Sequence, residues 1–247
     1  MDLSERGQSQ VRHPWESARY AFIQRVIGSL PKSAHESVLD FGAGDAWLAK
    51  SLINAQVIKF VVCVDSNYSI SDVRQIQTEA VTARSDLPGQ RFSLILLLDV
   101  LEHVVDPCHV LSSLRKNNCT GETYVLVTVP AHAWLFSSHD VALRHFRRYS
   151  RRELIEQLSA EFRIVQSGYL FTIPLVGRII STACRKTIKA TGSPSTLGTW
   201  QFSTWTTKLI TSILEFDIRV SGVLNRLGIV VPGLSCWALA KVDNRGC

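Results

Sequence analysis

Residues 37–52 read SVLDFGAGDAWLAKSL, and this stretch indicates the fold. It opens with a short apolar run, Val38–Phe41, which is typical of a buried strand. Gly42 and Gly44 follow and permit a tight turn, and the apolar spacing after them is helical. A strand that passes through a glycine turn into a helix predicts an α/β sheet whose turn can approach a ligand.

Further segments along the chain repeat this alternation of strand and helix. Residues 12–30 and 151–162 have helical apolar spacing, and Ser150 and Glu153 form a capping-box pattern before the second of them. Asp106 and Pro107 open another helix. The strand-like segments are 57–67, 91–104, 121–132, 162–171 and 233–243. The alternation predicts a mainly parallel sheet with helices on both faces.

The alternation breaks after residue 170. Residues 174–200 are interrupted by prolines and glycines, so no regular element is expected there. Residues 203–227 then predict one long amphipathic helix, with an apolar stripe that carries a single charge, Asp217. We therefore expect a core with an N-terminal helical lid over 1–169, a helical insertion or cap over 170–232, and a closing core strand over 233–247. The members of the stripe are Ile210, Ile213, Leu214, Asp217, Val220, Val223, Leu224 and Leu227.

The charge of the chain is concentrated in one region. The formal net charge is +6, and residues 170–247 contain nine Lys and Arg against three acids, which equals the whole excess. A basic and apolar segment suits an anionic surface or substrate, or forms a solvated cationic face. The six scattered cysteines indicate reduced thiols. No signal peptide or membrane-spanning run is evident, and we expect a cytoplasmic protein, peripheral to a membrane if the basic insertion attaches it.

The glycine turn carries acids that restrict its ligand. Asp65 ends the next strand, 21 residues after Gly44, where a carboxylate accepts hydrogen bonds from ribose hydroxyls. A dinucleotide-binding turn would have a third glycine, but position 47 is Trp. Asp40 and Asp45 would also repel a pyrophosphate. These residues favour a nucleoside cofactor with a cationic centre.

The ordered set DFGAG, a strand ending in Asp65, and LLDVLEHV resembles the class I S-adenosylmethionine-dependent methyltransferases. The segments HPWESAR, VTVPAHAWLFSSHD and RHFRRYSRRELIEQL resemble a bacterial subgroup close to the ubiquinone-pathway O-methyltransferases. The resemblance implies S-adenosylmethionine as cofactor. It also implies a Rossmann-like, doubly wound, mainly parallel seven-stranded sheet with a helical insertion before the last strand.

The resemblance also implies which residues meet the cofactor. Positions 93 and 83 depart from the family pattern, since they are Ser and Ala where acids are common. This departure bears on the adenine side of the site. The implied contacts are Asp40, Gly42 and Gly44 around the methionine part, Asp65 and Ser66 at the ribose, Asp86 and Leu87 beside the adenine, and Asp99 along the site.

Histidines in two loops are the candidate bases for removing a proton from a methyl acceptor. Histidine is the side chain that most readily accepts a proton near neutral pH. His139 is the favoured base, with Asp140 beside it, although neighbouring side chains usually point apart and Asp140 need not orient it. His103 and His145 are the other candidates, and His132 lies in the same two loops. A purely structural hydrogen-bonding role is the alternative for each histidine.

A divalent metal and a nucleic acid are the less favoured ligands. Asp99, Glu102 and His103, with His139 from the later loop, have oxygen and nitrogen ligands that suit Mg²⁺ or Zn²⁺. The pattern resembles a small-RNA 2′-O-methyltransferase family, but a metal-free site is preferred. The arginines of residues 144–152 are expected to pair with acids or a substrate anion. Few aromatic residues lie among them to stack on bases, so the pattern expected of a nucleic-acid binder is weak.

Three functions are compatible with these residues. The first is O-methylation of a hydroxyl on a lipophilic or anionic small molecule. The others are RNA 2′-O- or N-methylation and non-catalytic S-adenosylmethionine binding. The insertion, with Trp200, Phe202 and Trp205 at its entrance, is expected to form an acceptor pocket, a membrane-surface contact or a structural cap. The sequence indicates neither the acceptor nor the oligomeric state.

Overall fold

The computed structural model describes residues 12–187 and 203–243. Within these residues the chain forms one seven-stranded sheet, with strand order β3-β2-β1-β4-β5-β7-β6. Strands β1 to β5 are parallel, whereas β7 runs antiparallel between β5 and β6. The strands are β1 (Val38–Phe41), β2 (Val61–Val64), β3 (Val81–Arg84), β4 (Phe92–Leu98), β5 (Cys119–Pro130), β6 (Phe162–Leu170) and β7 (Ser235–Val242). The predicted doubly wound, mainly parallel sheet is confirmed.

Helices cover both faces of the sheet. Alternate residues of β4 enter different cores, with Leu96 in one and Ile95 in the other, as expected for a strand buried on both sides. Ile23 packs in the first core and Leu154 in the second. The helices are α1 (Pro14–Gly28), α2 (Trp47–Asn54), α3 (Ile70–Ile76), α4 (Pro107–Asn117), α5 (Ser138–Ala142), α6 (Arg151–Ser159), α7 (Thr172–Thr187) and α8 (Thr204–Arg226).

Local capping signals are confirmed, and two local predictions need correction. The Asp106 side chain accepts from the His109 amide at the start of α4, and Ser150 and Glu153 form the capping box of α6. Strand β3 was not among the strand-like segments, because its four residues VTAR are too few to show a pattern. The expected break after residue 174 is wrong up to Thr187, since Pro174 lies in the first turn of α7, where proline is tolerated.

Helix α8 confirms the predicted long helix, but its apolar residues face two ways. Leu214 and Ile218 are buried in the first core, and Asp217 is buried with them and accepts from the Ile173 amide at 3.3 Å. Val220 and Val223, which belong to the same predicted stripe, are exposed. The single stripe is therefore two separate faces.

Only part of the predicted insertion lies within the described residues. Trp205 is exposed, whereas Trp200 and Phe202 lie outside the described residues. The division into core, insertion and closing strand remains a prediction. Among the described residues, no helix combines the length and the apolar character that crossing a membrane requires.

Candidate active site

The carboxyl ends of four parallel strands bring the predicted cofactor residues to one edge of the sheet. Gly42 follows β1, Asp65 follows β2, Asp86 lies beyond β3, and Asp99 follows β4. The chain winds outward in opposite directions from β1 and β4, which are neighbours. Ligands of open α/β sheets bind in the crevice at such a point.

The glycine turn closes tightly against Val100, the second residue after β4. Gly42 has a φ of 78°, and a Cβ placed on it would lie 2.6 Å from Val100 Cγ2. Gly44 also has a positive φ, and its amide donates to Asp65 Oδ2 at 3.0 Å. The Asn67 amide donates to Asp65 Oδ1 at 3.0 Å, so both carboxylate oxygens are held. The turn therefore requires glycine and fixes the orientation of Asp65.

Four carboxylates gather around this turn and create a negative site. Asp40 is buried, and this burial, with contributions from Asp65 and Asp45, raises its pKa to about 7 although Arg19 opposes the shift. Thr128 donates to Asp99 Oδ1 at 3.0 Å. A cationic ligand would relieve the repulsion among these acids.

Two arginines from the start of the chain neutralise part of this charge. Arg12 pairs with Asp45 and lies 4.8 Å from the Trp47 ring centroid. Arg19 of α1 pairs with Asp99. Only a cavity of about 30 Å³ remains there, lined by Glu16, Arg19, Ala43, Asp45, Trp47 and Leu48. Neither arginine could be assigned to the site from the sequence, since nothing in the local pattern around it points to the turn.

The predicted ribose and adenine contacts lie on the outer part of the same edge. Ser66 is exposed two residues after the end of β2. Asp86 is exposed and pairs with Arg84 at 2.8 Å, which lowers the pKa of Asp86 through a hydrogen bond. Leu87 is partly buried against the second core. Their place is compatible with the predicted roles, which remain predictions.

A buried carboxylate organises the loop after β5. Asp140 is fully buried and accepts from Arg148 Nε at 2.7 Å, from the Ser137 amide at 2.9 Å, and from His145 Nδ1 at 3.0 Å. Burial alone would raise the pKa of Asp140, but the hydrogen bonds from Arg148 and His145 outweigh it and lower the pKa to about 2. Asp140 is therefore ionised at neutral pH, and its carboxylate accepts from His145 Nδ1 and fixes the orientation of the ring.

His145 also meets the short 3-10 helix Leu101–His103 that follows β4. The rings of His145 and His103 meet edge to face, with centroids 4.6 Å apart. Glu102 is fully buried, and its two carboxylate oxygens have no hydrogen-bond partner in the described part of the chain. Burial raises the pKa of Glu102 to about 8.

These three side chains could also hold a metal ion. One ligand atom each from Glu102, His103 and His145 lies within 4.8 Å of the other two. The set differs from the predicted one, because Asp99 pairs with Arg19 and His139 is exposed.

Within residues 12–187 and 203–243, no hydrogen bond or ion pair joins His139 to a carboxylate. It lies on the exposed side of α5, while Asp140, its neighbour in sequence, points inward to His145. His132, which the sequence grouped with the other loop histidines, has a φ of 63° and a buried Nε2 without a partner in the described residues. Burial lowers the pKa of His132.

The basic loop, residues 144–152, carries five arginines, and most of them bond to other groups of the same chain. Arg147 donates to the Val105 carbonyl at 2.9 Å, and Arg151 donates to Ser167 Oγ at 3.0 Å. Arg152 pairs with Glu156 at 2.7 Å. With Arg148 bound to Asp140, four of the five arginines have intramolecular partners. The expected pairing with acids is thus found for Arg148 and Arg152.

Comparison with known proteins places the chain in a family. Its sequence matches the methyltransferase domain family over residues 9–166, which is more than half of the chain. The chain therefore belongs to this family and is a methyl-transferring enzyme. This membership supports the predicted cofactor, S-adenosylmethionine. The ubiquinone-pathway subgroup remains a prediction.

Solved structures share the fold at low sequence identity. An S-adenosylmethionine-dependent methyltransferase from Archaeoglobus fulgidus is 18% identical, with a TM-score of 0.53 over 92% of this chain and 93% of that one. A geranyl diphosphate methyltransferase in complex with its cofactor is 15% identical, with a TM-score of 0.55 over 92% and 85%. The methyltransferase domain of a bacterial Hen1 protein is 12% identical, with a TM-score of 0.51 over 92% and 98%. A search of curated proteins finds no match.

Proposed function

We propose that the protein transfers the methyl group of S-adenosylmethionine to a hydroxyl on a lipophilic or anionic small molecule. The observation that carries this proposal is the Asp140–His145 pair, which lies against the 3-10 helix that follows the cofactor edge of β4. A base oriented by a buried carboxylate suits an acceptor that must lose a proton.

The residues at the glycine turn fit the cofactor. The turn has room for backbone but not for a side chain at Gly42, which suits close approach of a ligand. Asp65 offers fixed carboxylate oxygens to ribose hydroxyls, and Asp40 and Asp99 suit the cationic groups of the methionine part. Arg12 and Arg19 suit its carboxylate once they leave their acids. S-adenosylmethionine, when bound, supplies an electrophilic methyl group and its own leaving group.

The chain's own residues then have separate tasks. His145 Nε2 takes the proton of the acceptor hydroxyl, and Asp140 stabilises the imidazolium that results. Arg148 and Ser137 keep Asp140 ionised and in place. The proposal thus moves the base from His139, which lacks this support, to His145.

The surroundings of the pair support the acceptor class. The segment after β5 that carries the pair also has exposed apolar side chains, namely Trp134, Phe136, Val141 and Phe146. Arg178 of α7 reaches this loop and donates to Ser137 Oγ at 3.3 Å. An apolar rim with a nearby guanidinium suits a lipophilic molecule that carries an anionic group.

The base assignment is tested with His145→Ala and a matched variant, His139→Ala. Turnover of labelled S-adenosylmethionine on a panel of lipophilic phenols and alcohols should fall about 10²- to 10⁴-fold in His145→Ala. Cofactor affinity by calorimetry should stay near the wild-type value in both variants. A loss in His139→Ala with full activity in His145→Ala would return the base to His139.

RNA 2′-O- or N-methylation is the second candidate. The Glu102, His103 and His145 cluster favours it, since a metal held there could position a ribose hydroxyl. The intramolecular bonds of Arg147, Arg151 and Arg152 argue against RNA as the substrate, because these arginines already have partners in the chain. Activity on RNA that chelator abolishes and Mg²⁺ or Zn²⁺ restores would support this candidate over the metal-free one. Cofactor binding without turnover on either acceptor class would favour the non-catalytic alternative.

A further inference from the structure

The outward face of α8 is apolar along its whole length. At about 100° per residue, steps of three and four residues place its exposed apolar side chains within an arc of about 80°. The stripe is about 33 Å long at 1.5 Å per residue. Its members are 40% to 73% exposed and are Trp205, Leu209, Ile213, Phe216, Val220, Val223 and Leu227.

The packing of α8 does not require this stripe. The helix is held through its opposite face, where Leu214 and Ile218 enter the core and Thr172 meets Ser221 at 3.2 Å. Single exposed apolar residues are normal on a protein surface, but a continuous row marks a contact site. The stripe is therefore available to a partner.

Cations border the stripe along one side. Lys208, Arg219 and Arg226 are exposed and lie in a row about 40–60° from its edge. Glu215, the acid of that row, pairs with Arg219 at 3.3 Å, and Asp217 is buried on the opposite face. The border of the stripe therefore carries net positive charge.

We propose that α8 docks on an anionic membrane surface, with the stripe at headgroup depth and the cationic row against lipid phosphates. Helices that lie in the interface have this arrangement of an apolar face beside Lys and Arg. A second copy of the chain packed antiparallel on the stripe fits less well, because both cationic rows would then lie along the same seam. The inference does not depend on which acceptor is methylated.

Flotation of the purified full chain with vesicles tests the proposal. Vesicles of phosphatidylcholine with phosphatidylglycerol should carry the protein upward, and vesicles of phosphatidylcholine alone should not. High salt should weaken the binding, because it screens the cationic row. Lys208→Ala and Arg226→Ala should each weaken binding to the anionic vesicles about fivefold.

Two exposed phenylalanines provide matched variants. Phe216 on the stripe is 66% exposed, and Phe60, on a different surface, is 59% exposed. Phe216→Ser should weaken binding to anionic vesicles about tenfold, whereas Phe60→Ser should leave it unchanged. Unchanged circular dichroism and cofactor affinity would show that both variants are folded and that the cofactor assignment is unaffected.

Three results would overturn the proposal. These are no flotation with anionic vesicles, equal flotation with neutral vesicles, and equal loss in the two serine variants. In each case sedimentation without vesicles should then be used to measure the oligomeric state. A dimer that Phe216→Ser converts to a monomer would assign the stripe to a second copy of the chain.

Discussion

Gly42 allows the most direct test of the cofactor site. An added methyl group would meet Val100 at 2.6 Å, and the positive φ of 78° strains any L-residue. Gly42→Ala should therefore abolish S-adenosylmethionine binding by calorimetry, while circular dichroism still shows an α/β fold. The matched control is Gly89→Ala, because a Cβ there meets nothing within 4 Å. Unchanged affinity in Gly42→Ala would contradict the placement of the cofactor at this turn.

Asp40 should make cofactor affinity depend on pH. Its pKa is raised to about 7, chiefly by burial, so the carboxyl is partly protonated at neutral pH. A cationic ligand binds better to the ionised form, and affinity should rise from pH 6 to pH 8 and level off above it. Calorimetry in buffers of different ionisation enthalpy should show proton release at pH 7. In Asp40→Asn this pH dependence should vanish, and its persistence there would exclude Asp40 as the source.

Some site residues could be predicted because their neighbours in sequence determine their place. Gly42, Asp65 and Asp99 directly follow strands, so a parallel sheet brings them to one edge whatever its detailed packing. His139 was the favoured base although its neighbour Asp140 was not expected to orient it, and the sequence alone does not show which histidine that carboxylate contacts. In the helical turn of α5 adjacent side chains diverge, and Asp140 reaches His145 instead. Arg19 joins Asp99 across 80 residues, a contact that no local pattern encodes.

At the scale of elements, a capping box begins α6 a few residues after His145. Ser150 Oγ accepts from the Glu153 amide at 3.1 Å, and the Glu153 carboxylate accepts from the Ser150 amide at 2.7 Å. Ser150→Ala should lower the free energy of unfolding by about 1 kcal/mol. Ser112→Ala, at an exposed position within α4, serves as the control in urea denaturation. An equal change in both variants would mean that the box does not contribute.

Helices and strands could be predicted where their apolar pattern is long. They could not be predicted fully where that pattern is short or where two faces of one helix are apolar. The apolar run of β4 predicts a buried strand, and the apolar spacing of α1 predicts a helix. Strand β3 is four residues at the end of the sheet order and shows too little pattern. Helix α8 has apolar residues on both a packed and an exposed face, and periodicity alone cannot tell which face the core takes.

At the scale of the whole molecule, buried carboxyls should set the dependence of stability on pH. The pKa of Asp40 is raised to about 7 and that of Glu102 to about 8, and burial also raises the pKa of Asp217. The folded protein therefore holds protons that the unfolded chain releases above about pH 4. The stability from these groups is complete below that pH and is lost as pH rises through 7 and 8. Asp140 acts in the opposite direction, since its pKa is lowered to about 2 and its contribution is lost in acid.

These opposing groups predict greatest stability near pH 4 and a decline toward pH 8. Thermal unfolding without cofactor, in buffers with chelator, should give a lower Tm at pH 8 than at pH 5, by about 2–4 °C for each kcal/mol lost. Asp40→Asn should flatten part of this decline, because an amide does not titrate. S-adenosylmethionine should raise the Tm more at pH 8 than at pH 6, since its cationic groups favour the ionised Asp40. A Tm that stays constant from pH 5 to pH 8 would mean that these carboxyls reach solvent in the folded protein.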